Sequence, residues 1–130
     1  MAIADRGGLP VAVRVTSASP NESTLVDPTL DRRHIAALPQ RMIGDKGYDS
    51  DPLDQRMKQR GIEMIAPNRQ KRKKTQDGRP LRRYVRRWKV ERLFAWLKNF
   101  RRICCRWERH ADNFLGMVQL GCMLILLRHL

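Results

Sequence analysis

The chain has 130 residues, 42% of them hydrophobic, which is compatible with globular folding and makes one domain with a modest core the default. Its 27 Lys and Arg against 13 Asp and Glu give a formal charge of +14, and the excess is local: residues 69–109 hold 17 bases and 3 acids, the remainder 10 of each. Three cysteines, Cys104, Cys105 and Cys122, exclude an even disulfide framework and point to core packing in a reducing compartment; adjacent Cys104 and Cys105 with His110 chelate a metal awkwardly and have no evident fourth ligand.

Met1 to Gly8 contains Asp5 and Arg6 and leads into no long apolar run, so no secretory leader is expected and the protein is read as cytoplasmic. Ile3 to Val15 reads as a β-hairpin: Val11, Val13 and Val15 alternate with Ala12 and Arg14, and Gly7-Gly8 supply the positive φ angles of a tight turn. A helix follows, capped by Asn21 or Ser23, with Pro28 in its first turn or at a restart and an end near Leu38-Pro39. Arg41 to Asp45 is a short strand ending on a carboxylate, the position where α/β sheets present chemistry. Ser50 or Asp51 then caps a second helix, with Pro52 in its first turn, Leu53 and Met57 inward and Gly61 as terminator. Ile62 to Ala66 returns as a strand, and the order strand, helix, strand predicts a parallel pair.

Residues 69–83 have no apolar periodicity and contain Gly78 and Pro80, so a basic loop is expected there, mobile until an anion orders it. The next stretch, Tyr84 to about Arg102, predicts a helix with two faces. Tyr84, Arg87, Glu91 and Lys98 fall within about 60° of one another at 100° per residue, while Val90, Leu93, Phe94, Leu97 and Phe100 form a separate apolar stripe. Cys104 to His110 turns the chain, and Asn113 is a candidate cap for a last helix. Phe114 to Leu127 is apolar apart from Gln119, but its 14 residues fall short of the roughly 18 needed to cross a bilayer. It is expected to be a buried helix covering a sheet face, with Gly116 and Gly121 allowing close approach to a sheet or to the previous helix.

The basic segment is either a solvated charged face or the footprint of a polyanion; its concentration between neutral flanks favours a nucleic-acid backbone. Asp45 and Glu91 are the two carboxylates in the most suggestive settings. Brought together in a basic groove, such a pair would hold divalent metal for phosphoryl transfer, with nearby bases on the phosphates. The competing interpretation is that an acid in a basic helix only balances charge on the surface.

Two motifs sharpen this. Ile43-Gly44-Asp45-Lys46-Gly47-Tyr48-Asp49-Ser50 and Tyr84-x2-Arg87-x3-Glu91-x6-Lys98 resemble the C-terminal half of DDE transposases of bacterial insertion sequences, the group with the Tyr-Arg-Glu-Lys signature. The likeness continues through Phe94-x-x-Leu97-Lys98-x-Phe100-Arg101-Arg102 into the apolar C-terminal helix. It implies an α/β, RNase H-like fold, an incomplete mixed sheet flanked by helices, in which carboxylates hold Mg2+ or Mn2+ to cut and join transposon-end DNA. By the same resemblance Asp45 and Glu91 are catalytic metal ligands, and Tyr84, Arg87, Lys98, Arg101 and Arg102 contact DNA. The implied partners are transposon ends and target DNA, further copies in a homo-oligomer, and no membrane; the implied location is the bacterial cytoplasm, at the nucleoid.

The resemblance also marks a gap. The family's first aspartate lies on a strand before a hairpin like Ile3 to Val15, and no such strand is found; Asp5 sits in the expected turn. Residues 1–130 are therefore read as a partial catalytic domain: hairpin and strand-helix-strand (1–68), basic loop (69–83), signature helix and apolar helix (84–130). Such a chain is expected to be inactive alone: either a truncated relic, or the second reading frame of an element whose two frames are joined by frameshifting, in which case the upstream reading-frame product is a partner. The alternatives are a basic DNA-binding protein or transposase modulator without catalysis, and a remnant that only makes protein contacts.

Overall fold

The computed structural model describes residues 1–69 and 82–130. The fold is mixed α/β and divides into two compact units, one of Met1–Pro20, Asp27–His34 and Lys89–Leu130, the other of Asn21–Val26 and Ile35–Trp88. Among the described residues the strands form two two-stranded sheets, one antiparallel and one parallel, where an incomplete mixed sheet was expected. The strands stop after three or four residues, one beginning at Pro10, which has no N–H to donate. The basic loop expected over 69–83 lies almost wholly outside the described residues.

In the first unit, β1 (Ala2–Ala4) and β2 (Pro10–Val13) pair antiparallel as the predicted hairpin, with Ala2 opposite Val13 and a bulge between Ile3 and Ala4. Only Gly8 of the glycine pair takes the left-handed conformation, at φ 84°. Asp5 closes the turn: its N–H donates to Leu9 O (2.9 Å), its carbonyl accepts from Gly8 N (3.0 Å) and its Oδ1 accepts from Leu9 N (2.8 Å). The Lys89 ammonium and an Arg92 Nη donate to the turn carbonyls of Arg6 and Gly7. Two bases of the positive segment thus hold the hairpin.

Helix α3 (Trp88–Lys98) belongs to this unit from Lys89 onward, followed by the short α4 (Arg101–Cys104) and the long α5 (Ala111–Leu127). Their core is Val13, Leu93, Leu97, Val118, Cys122 and Ile125, with Trp96, Phe100 and Ile103 packed against it. The hydrophobic effect of burying such side chains, about 1.5–3 kcal/mol each, is what fixes a hairpin that could not stand alone. The long helix expected to run to Arg102 breaks instead at Phe100, whose backbone is extended (φ −84°, ψ 110°). The reason is close packing: Gly121 of α5 presents its bare Cα to Ile103, Leu97 and Phe100, so the chain bends to bring Phe100 inward.

Three further expectations need correction here. Phe94 is exposed, leaving Leu93 and Leu97 as the buried side of α3. Helix α5 packs on β2 and α4, yet Leu120, Met123, Leu124 and Leu127 face outward, and nothing lies within 4 Å of a Cβ added at Gly116. Cys122 is buried as expected, whereas Cys104 and Cys105 are exposed. No helix of the described residues is long and apolar enough to cross a membrane.

In the second unit, β3 (Arg41–Ile43) and β4 (Glu63–Ile65) form the predicted parallel pair, with Met42 opposite Met64, and α2 (Asp51–Gln59) connects them. Leu53 and Met57 of α2 are fully buried, beside Ile62 and Ile65. Gly61 ends the segment at φ 74°, the left-handed residue that lets a helix stop. Arg41 and Glu63, facing each other across the ladder, form an ion pair at 2.6 Å.

The helix expected from residue 21 to 39 is shorter. Asn21 does cap it, accepting from Ser23 N at 3.1 Å, but the result is a 3-10 turn (Glu22–Thr24) and five residues of α1 (Val26–Leu30). Bonds from Arg32 N to Thr29 O and from Arg33 N to Leu30 O tighten its end. His34 N then donates to Val11 O at 3.0 Å, a sheet-edge bond that replaces the next helical turn.

Candidate functional site

Asp45 follows β3 by two residues and starts a 3-10 turn (Lys46–Tyr48). Its Oδ1 accepts from Gly47 N at 2.7 Å, which fixes the half-buried carboxylate, while its Oδ2 accepts no hydrogen bond among the described residues. Arg69 clamps the same turn from behind. Its Nε donates to Lys46 O (3.1 Å), its Nη2 to Gly47 O (2.9 Å), and its backbone N–H to the buried Asp49 at 2.8 Å. The first residue of the basic segment is thus a scaffold for the carboxylate turn.

Glu22 was missed by sequence reasoning. It lies in the 3-10 turn after Asn21, and that turn packs on the Lys46–Tyr48 turn. A Cβ added to Gly47 would meet Asp45 Oδ1 at 2.9 Å and Glu22 Oε2 at 3.0 Å, so two carboxylates flank this glycine. Tyr48 registers them: burial, then the charges of Glu22 and Asp45, push its hydroxyl up to about 12 from an ordinary 10.0. The only local signal was Glu22 following the cap residue Asn21, which does not foretell contact with residue 47.

Tyr84 to Arg87 form a 3-10 turn, not the first turn of an α-helix, and this turn packs on β3. Three residues per turn eclipses positions 84 and 87, and the Arg87 guanidinium lies 5.4 Å from the Tyr84 ring centroid. Glu91 and Lys98 are on exposed positions of α3, seven residues and about two turns apart. The unit division falls between Trp88 and Lys89. Asp45, Tyr84 and Arg87 therefore belong to the second unit, and Glu91, Lys98, Arg101 and Arg102 to the first. Arg101 and Arg102 open α4, are exposed, and line a depression with Trp107.

Carboxylate oxygens are the donors that Mg2+ and Mn2+ take, and the open Oδ2 of Asp45 fits that role. Among the described residues no group of three or more His, Cys, Asp or Glu side chains gathers as a complete metal cage. Each of the Asp45 and Glu91 carboxylates offers the oxygen donors that a hard divalent cation takes.

Comparison with known proteins gives a consistent answer. The family model described as Transposase DDE domain matches residues 1–127. The chain is 37% identical over 131 residues to a protein assigned as the transposase for insertion sequence element IS402 of Burkholderia cepacia, covering 95% of this chain and 59% of that protein. It is 30% identical over 134 residues to the protein assigned likewise for element IS6501 of Brucella ovis, covering 98% of this chain and 95% of that one. The chain therefore spans about three fifths of the first relative and nearly all of the second. No solved structure matches it.

Proposed function

The chain belongs to the DDE transposases of bacterial insertion sequences, and from that premise we propose that it provides part of an RNase H-like catalytic domain for DNA cleavage and strand transfer. The observation that carries this is Asp45: a carboxylate at the end of a parallel strand, fixed through one oxygen by Gly47 and open at the other. Asp45 and Glu91 are the metal carboxylates. A bound Mg2+ or Mn2+ supplies Lewis-acid stabilisation of the attacking and leaving oxygens.

The protein side chains do the rest. Tyr84, Arg87, Lys98, Arg101 and Arg102 hold phosphates of the transposon end and the target; guanidinium groups suit this because their planar donors match phosphate oxygens. The net +14 of residues 69–109 draws DNA to them. Two bases are set aside for structure, Lys89 and Arg92 on the hairpin, and Arg69 holds the Asp45 turn. Assembly as a homo-oligomer on the two ends, in the cytoplasm at the nucleoid, completes the reading.

Asp5 spends its carboxylate on the hairpin turn, which supports leaving it out of the catalytic set. The third acid then comes from elsewhere, such as an upstream reading-frame product, and this chain alone does not cut. The domain division at 1–68, 69–83 and 84–130 is kept as part of the proposal.

The same charge supports a second reading, a basic DNA-binding modulator without catalysis. Magnesium-dependent nicking of transposon-end DNA by the chain together with the upstream product separates the two. Glu91→Gln removes nicking if the first reading holds, while leaving or improving DNA affinity, because it deletes a negative charge.

A further inference from the structure

The loop between α4 and α5 holds an aromatic ring that no core uses. Trp107 is 75% exposed and lines a depression with Arg101 and Arg102. The loop around it is tied down. Arg106 Nε donates to Glu108 O (3.0 Å), Arg106 Nη2 donates to Arg109 O (3.4 Å), and the Arg106 guanidinium lies 5.2 Å from the Phe114 ring centroid. Trp107 N donates to Glu108 Oε2 at 3.3 Å, and Glu108 Oε1 pairs with Arg102 at 3.6 Å. The closed turn built on Arg106 therefore presents the indole to solvent beside cations. Arg101 has no acidic partner among the described residues.

Single exposed apolar side chains are ordinary on a protein surface. What distinguishes Trp107 is company: a flat ring in one depression with two guanidinium groups, within the segment that carries all the net charge. Each half matches a different part of a nucleotide. An indole stacks on the face of any base, and guanidinium groups pair with the flanking phosphates. Within a duplex the base faces are occupied by neighbouring pairs, so a projecting ring finds a stacking face only on an unpaired base.

Resting on the DNA reading above, we propose that Trp107, Arg101 and Arg102 form a subsite for an unpaired nucleotide of single-stranded DNA. The indole stacks on the base and the two arginines hold the adjoining phosphates. Strand cleavage and transfer expose unpaired nucleotides, which gives the subsite an occupant within the proposed reaction.

The test uses the full 130-residue chain and three labelled probes carrying equal numbers of phosphates: an oligothymidine strand, an abasic strand and a duplex. Binding is followed by fluorescence anisotropy across a salt series. Trp107→Ala is expected to weaken the oligothymidine complex by about tenfold, leave the other two within about twofold, and keep the salt slope. Trp107→Phe restores most of the loss. Arg101→Ala weakens all three and lowers the slope by about one. Unchanged oligothymidine affinity in Trp107→Ala, or an equal loss on all three probes, overturns the subsite. A change of oligomeric state in Trp107→Ala, read by sedimentation, also overturns it, because the ring would then be a contact between copies. Absence of salt-dependent binding to any probe by the unsubstituted chain overturns instead the DNA reading beneath it.

Discussion

The backbone N–H of Gly47 donates to Asp45 Oδ1 at 2.7 Å, and a Cβ on the same glycine would lie 2.9 Å from that oxygen and 3.0 Å from Glu22 Oε2, so the two carboxylate ends would have to shift. Gly47 thus sets the position of the carboxylate twice, by a bond and by an absence. Its φ is not in the left-handed region, so the requirement is for space rather than backbone freedom.

Gly47→Ala is therefore expected to displace both carboxylates. The predicted cost in folding stability is about 1–2 kcal/mol, read by urea unfolding. Transposase activity reconstituted with the upstream product should fall at least tenfold, because a shift of about 1 Å at a reacting group costs that much or more. Stability and activity equal to the unsubstituted chain would remove Gly47 from the account.

Alkaline stability should carry the mark of Tyr48 and Cys122. Burial and the Glu22 and Asp45 charges raise Tyr48 from 10.0 to about 12, and burial raises Cys122 from 9.0 to about 11. Each group binds its proton more tightly folded than unfolded. Their contribution is intact below pH 9 and is lost as pH climbs from 9 through 12. Urea midpoints should fall across that window, and Tyr48→Phe should flatten the decline between pH 10 and 12. A midpoint that rises with pH there would reverse the sign and contradict the burial of both groups.

Thiol chemistry reports the core of the first unit. Cys104 and Cys105 are exposed and Cys122 is 1% exposed. A disulfide reagent at pH 8 should consume two thiols quickly and the third only at the rate of unfolding. Three equal rates would mean that α5 does not cover Cys122.

The two glycines of α5 should respond oppositely. Gly116→Ala meets nothing within 4 Å and should stabilise by about 0.5–1 kcal/mol through helix propensity. Gly121→Val would drive atoms past a Cβ already 2.7 Å from Ile103 Cδ1 and 3.2 Å from Leu97 Cδ2, and should cost about 1–3 kcal/mol. Thermal unfolding of the pair distinguishes them.

That contrast also marks how far the sequence could be read. The hairpin, the parallel pair and the Gly61 stop were legible because period-two alternation and turn chemistry are local signals. The helix after Asn21 was read too long because its end is set by the distant bond from His34 to Val11. The signature helix was read as continuous because nothing near Phe100 announces that Gly121, on another helix, draws it inward. Asp45 stood out at a strand end, whereas Glu22 beside Gly47 and Arg69 behind it are long-range contacts without a spacing signal.

The central claim is that Asp45 and Glu91 are metal carboxylates of a DNA-cutting site completed by an upstream product. The direct measurement is magnesium-dependent nicking of a supercoiled plasmid carrying the element's ends, by the chain alone, by the chain with that product, and by Asp45→Asn and Glu91→Gln in the mixture. The account predicts nicking only in the unsubstituted mixture, with DNA affinity kept in both variants. Nicking by the chain alone that Asp5→Ala abolishes, or full nicking by either carboxamide variant, would contradict it.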